Sequence, residues 1–103
     1  MSAVIVAGWI DWDPAHRDAA LRHFATLAAA SRAEAGCLDY TATPDVEDPA
    51  RMRIFEHWTD RKHLVDHLEL DHVQTFRAAV AGLNRTGRSL SLHVLTSSGP
   101  MTS

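Results

Sequence analysis

Arg53-Ile-Phe-Glu-His-Trp-Thr-Asp-Arg-Lys-His-Leu-Val-Asp-His-Leu-Glu-Leu-Asp-His-Val-Gln-Thr-Phe76 opens with a strand period and closes with a helical one. Along 52–58 alternate residues fall on opposite faces: Met52, Ile54, Glu56 and Trp58 on one, Arg53, Phe55 and His57 on the other. A carboxylate on the face that carries Met, Ile and Trp needs a partner or the edge of a cavity. Thr59-Asp60 ends the strand and offers a helix N-cap. Short helices are predicted over 60–68 and 71–81, with Asp71 and Gln74 as a capping box for the second. The stretch therefore gathers Glu56, Trp58, His67 and His72 on one side of a strand–helix–helix unit.

Working upstream, 44–51 is polar with two prolines and three acidic residues, a hairpin loop. It joins the 52–58 strand to a strand over 37–43 that carries Leu38 and Tyr40 on one face. The first strand, 3–12, is apolar on both faces, with Val4, Val6, Gly8 and Ile10 opposite Ile5, Ala7 and Trp9. Gly8 marks a bulge or a close approach. Asp13-Pro14 starts a helix expected to reach Ala35, where Gly36 supplies a left-handed residue. Ala20, Leu21, Phe24, Leu27, Ala28 and Ser31 form its buried stripe, and Arg17, Arg22, Arg32 and Glu34 are expected to face water.

Downstream, Val73, Phe76, Val80 and Leu83 continue the core stripe, and His72 lies along the neighbouring face. Arg85–Arg88 is expected as a basic loop and 89–96 as the last strand. The element order β-α-β-β-α-α-β predicts an α+β fold: a ferredoxin-like split βαβ sandwich, its antiparallel sheet covered by helices on one face. The domain is expected over 1–97, with 98–103 as a flexible tail. Ile5, Trp9 and Phe55 would leave the second sheet face apolar, which calls for a partner.

With 103 residues, 46% hydrophobic and 22% charged, the chain is long enough for one core of its own. A formal charge of −3 and the lack of a basic run argue against nucleic acid as a partner. No apolar run reaches the length of a membrane span, and no secretory leader is visible. One cysteine, Cys37, excludes an internal disulfide and fits a reducing cytoplasm, the expected location.

Glu56-His57-Trp58 followed by His67, His72 and Phe76, with Glu34-Ala35-Gly36-Cys37-Leu38-Asp39-Tyr40 and Asp48-Pro49 upstream, resembles the antibiotic biosynthesis monooxygenase (ABM) domain family, its quinol monooxygenases in particular. The resemblance runs from the first strand to the last. It implies a homodimeric α+β barrel in which two sheets pair face to face. It also implies a cofactor-independent monooxygenase that joins O2 to a small quinol- or anthrone-like aromatic.

On this reading His67 or His72 is the catalytic base, because an imidazole titrates near neutrality. Tyr40, Glu56, Trp58 and Phe76 line the substrate site. No metal is expected: His63 and His67 are spaced for chelation but nothing completes the set. No flavin or nicotinamide is expected, since no glycine-rich phosphate loop occurs. Haem-degrading relatives, by resemblance, use an Asn on the first strand, and Val6-Ala7-Gly8-Trp9 holds none. The alternatives are a non-catalytic dimeric domain that binds a small molecule and, behind it, a haem-binding or haem-degrading relative.

Overall fold

A computed structural model of the chain describes residues 2–102; Met1 and Ser103, the ends of the expected domain and tail, lie outside the described residues. The elements are β1 (Val4–Trp12), α1 (Pro14–Arg32), β2 (Cys37–Pro44), β3 (Arg51–Trp58), α2 (Arg61–His67), α3 (Asp71–Val80) and β4 (Arg85–Val94). The strands form one antiparallel sheet in the order β2-β3-β1-β4. The helices lie on one face, giving a slab of 41 × 33 × 19 Å. This is the α+β, ferredoxin-like architecture expected from the element order.

The core lies between α1, α3 and the helix-side face of the sheet. From β3 that face buries Met52 (0% exposed), Ile54 (3%), Glu56 (8%) and Trp58 (0%), as the alternation required. From β1 it buries Val4, Ile10 and Trp12, and from β2 Tyr40. α1 contributes Ala20, Phe24, Leu27, Ala28 and Ser31, and α3 contributes Val73. Phe24 and Phe76 meet edge to face at 4.3 Å and join the two helices. At Gly8 the β4 backbone leaves no room for a side chain on β1. A Cβ there would sit 1.9 Å from the Ser89 carbonyl oxygen, and its φ of +149° disfavours any other residue.

Several local expectations are corrected. α1 stops at Arg32, three residues early, and Gly36 (φ +83°) belongs to the following turn, where any Cβ would strike the His63 ring. Leu38 does not share a face with Tyr40. A register shift between Cys37 and Asp39 leaves Leu38 56% exposed and returns Tyr40 to the core face opposite Glu56. The capping box at Asp71 is not formed: Leu70 is the N-cap, and the Gln74 side chain donates instead to the Leu68 carbonyl. Arg85–Arg88 is strand, paired with β1 through Ile10, Asp11 and Trp12. Its polar residues read as a loop because β4 is an edge strand, where charge is tolerated and useful.

The open face carries Ile5, Ala7, Trp9 and Phe55, but it is more polar than expected. The Arg51 guanidinium stacks on Trp9 with 4.5 Å to the ring centre, and Arg51 also pairs with Asp11 at 2.8 Å. A shallow groove of about 390 Å3 runs across this face past Trp9, Phe55, Thr41 and Ser91.

Candidate functional site

Between sheet and helices lies a cavity of about 270 Å3. Its floor is apolar, from Ile10, Ile54, Phe24 and Phe76 among others. At its buried end stand three polar side chains, Tyr40, Glu56 and His67, with residue exposures of 3%, 8% and 2%. Tyr40 and Glu56 are register partners on adjacent strands, so the sheet itself places them side by side. His67 comes from the last turn of α2, whose start is capped by the Asp60 carboxylate accepting from the His63 N–H at 2.9 Å.

Trp58 lies behind this end and does not line the cavity. Its Nε1–H donates to Glu56 Oε1 at 3.1 Å, and its ring packs 4.8 Å from that of His67. Burial pushes the Glu56 carboxyl up to about 7; the Trp58 hydrogen bond opposes the shift and the charge of Glu34 adds to it. Burial, with the charge of Glu56 behind it, holds the Tyr40 phenol above its ordinary range, leaving an O–H donor at neutral pH.

The largest departure from expectation is Glu34. The helical period assigns it to solvent, yet its side chain is only 11% exposed and its Oε2 lies 2.7 Å from His67 Nδ1 and 2.6 Å from His72 Nε2. An ionised carboxylate only accepts, so both imidazoles donate to it. Nδ1 of His67 therefore carries a proton, so in a neutral imidazole the lone pair would fall on Nε2, which makes no hydrogen bond within the described residues. The period misleads because α1 has ended by residue 34, and the turn to Gly36 aims the side chain inward.

Of the six residues singled out, the structure brings Tyr40, Glu56, His67 and Phe76 to one cavity. His72 lines a different cleft, between α1 and α3, with His23 and Thr26. Its link to the cavity runs through Glu34. His63, its side chain 37% exposed, packs on Gly36 and pairs with Asp60 at 2.9 Å. The Nδ1 atoms of His63 and His67 each meet a different carboxylate, Asp60 and Glu34. The set that converges is Glu34, His67 and His72, whose donor atoms all lie within 4.8 Å of one another, a grouping able to close on a metal ion. The pairs at 2.6–2.7 Å are hydrogen bonds; tetrahedral coordination at about 2.0–2.1 Å would need ligand atoms roughly 3.3 Å apart. Cys37 is a partly buried thiol whose pKa burial raises, a core filler rather than a nucleophile. Trp12, Arg77, Arg85 and Arg88 also line the cavity and were not singled out; the alternation that puts Arg88 beside Leu90 on the inner face was legible only once 85–88 was known to be strand.

No helix among the described residues is long and apolar enough to cross a membrane. No curated protein matches the chain. Solved structures do. A candidate antibiotic biosynthesis monooxygenase of Deinococcus radiodurans superposes with a TM-score of 0.85 at 26% identity, over 97% of this chain and 99% of that one. A Mycobacterium tuberculosis protein gives 0.76 at 26% identity, over 98% and 100%. A candidate of the same class from Chloroflexus aurantiacus gives 0.82 at 24%, over 97% and 99%, a likeness of fold. The profile of the antibiotic biosynthesis monooxygenase family matches residues 3–79, from the first strand through nearly all of α3 and across every polar group at the buried end of the cavity. The chain belongs to the antibiotic biosynthesis monooxygenase family.

Proposed function

We propose that this protein is a cofactor-independent monooxygenase that oxidises a quinol- or anthrone-like aromatic with O2, using His67 as the base. One observation carries the reading: a buried imidazole on the wall of the cavity, its Nδ1–H held by Glu34 at 2.7 Å and its Nε2 without a hydrogen-bond partner among the described residues.

The chemistry balances without another reductant. For an activated methylene, one CH2 group and one O2 become one carbonyl group and one water. His67 Nε2 removes a proton from the substrate, and the Glu34 carboxylate stabilises the imidazolium that forms. The resulting anion passes one electron to O2, and the substrate radical and superoxide recombine as a peroxide. The imidazolium returns its proton to the peroxide, which loses water to leave the carbonyl. Glu56, poised near 7, and the Tyr40 hydroxyl supply donors to the oxygen that gains charge. The apolar floor excludes water from the anion and the radical pair. No metal, flavin or haem enters, so EDTA leaves the rate unchanged.

The protein acts as a homodimer in the cytoplasm, its partner covering the open face around Trp9 and Phe55. The rival is a dimeric domain that binds a small molecule without turning it over. Oxygen uptake with an anthrone or a reduced naphthoquinone and no added cofactor separates the two. A positioned base contributes about a hundredfold to ten-thousandfold, so His67→Ala should lose rate by that order and keep binding. Full rate in His67→Ala ends the histidine-base mechanism; no uptake above buffer with any such substrate favours the binding domain.

A further inference from the structure

The buried end of the cavity holds one carboxyl group, that of Glu56, whereas its open end holds three guanidiniums. Arg77, Arg85 and Arg88 all line the cavity and all are exposed, which places them at its mouth. None of the three forms an ion pair among the described residues, whereas Arg17, Arg51 and Arg53 each do. Glu56 is the only acidic residue on the cavity wall, and it is buried at the far end. Three unpaired guanidiniums thus share one opening on a protein of net charge −3. Arg85 and Arg88 come from β4, beyond the residues the family profile matches.

A second, independent observation lies beside them. Trp12, the register partner of Arg85, also lines the cavity and is 3% exposed, and its Nε1–H is buried with no acceptor. A buried indole N–H is seldom left without a partner. Three cations short of an anion at the mouth of an aromatic-sized cavity, whose wall beside Arg85 is the indole of Trp12, are complementary to an anionic aromatic.

We propose that the mouth of the cavity binds a carboxylate carried by the aromatic substrate, with Arg85 and Arg88 as its principal partners. The substrate class named above narrows to aromatic acids, held by the carboxylate at the mouth with the reacting ring turned towards His67. This rests on the proposed oxygenase reading for the reaction but not for the binding. Guanidinium suits the role because its planar donors meet a carboxylate in pairs.

The test measures binding of oxidised, unreactive ligands, so turnover does not enter. Anthraquinone-2-carboxylate and anthraquinone-2-carboxamide are titrated calorimetrically against the intact protein at low salt. The carboxylate should bind at least about tenfold tighter, and raising the salt should shrink that ratio. The Arg85→Gln/Arg88→Gln double variant should bring the ratio close to one while leaving carboxamide affinity in place, which shows that the cavity is still folded. Arg85→Lys/Arg88→Lys should recover part of the preference, and Arg22→Gln, on the exposed face of α1, should not change it. Anthraquinone-2-sulfonate tells a site shaped for carboxylate from one that takes any anion; equal binding of the two would widen the ligand class and overturn the carboxylate assignment. Equal affinity for carboxylate and carboxamide, or a preference that survives the double variant, overturns the proposal. A carboxylate preference without turnover would leave the clamp standing and remove the oxygenase; turnover indifferent to the carboxylate would do the reverse.

Discussion

His67 and Glu34 are thirty-three residues apart in the chain, and His67 Nδ1 lies 2.7 Å from Glu34 Oε2. The same oxygen accepts from His72 Nε2, so one carboxylate sets the orientation of two imidazoles. Only His67 lines the cavity. Under the proposed mechanism the pair would act as an orienter and a base, with His72 bonded to the same carboxylate from the far side.

Replacing the orienter separates those roles. Glu34→Gln should lower kcat for oxygen uptake by about the order expected for loss of a positioned base, because His67 is no longer held in one tautomer. KM should change little, since Glu34 does not line the cavity. His72→Ala should cost less than His67→Ala. Equal losses in the two histidine variants would place the base elsewhere.

Glu56 makes stability depend on pH. Its folded pKa is raised from an ordinary 4.5 to about 7. Between those values the folded state binds more protons than the unfolded one, so stability falls as pH rises from about 4.5 to 7 and stays low above. The shift corresponds to roughly 3 kcal/mol. Glu56→Gln, which keeps an oxygen for the Trp58 N–H, should melt above the wild type at about pH 8 and lose that advantage near pH 5. Parallel melting curves for the two proteins across this range would contradict the raised pKa.

The open face makes its own prediction. Phe55 stands there between Ala7 and Thr41, half-buried in the monomer. Phe55→Glu places a charge where two sheets would pack, and light scattering should change from dimer to monomer while circular dichroism keeps its helical signal. A wild type that is monomeric at micromolar concentration removes the dimer from the reading.

Gly8→Ala tests the sheet. A Cβ 1.9 Å from the Ser89 carbonyl oxygen meets backbone, which cannot rotate away, and φ of +149° adds strain. Urea denaturation should show a loss of about 2–4 kcal/mol. A loss within experimental error would mean that β1 and β4 do not approach as closely as described.

The alternation through 52–58, the apolar first strand and the helical spacing of Ala20, Phe24 and Leu27 determined the layer architecture from sequence alone, because burial on one face imposes a period that needs no distant information. Glu56 was identifiable for the same reason: a carboxylate in phase with Met52, Ile54 and Trp58 has nowhere to go but the core side. The convergence of Glu34 on His67 and His72 was decided only in three dimensions. It depends on where α1 stops and on the turn that follows, in which Gly36 packs against His63. The basic rim was hidden likewise, since Arg85 and Arg88 become inward-facing neighbours of Trp12 and Ile10 only through the long-range pairing of β4 with β1. Local periodicity tells which side of an element a residue lies on; which elements that side meets is set by packing between segments far apart in the chain.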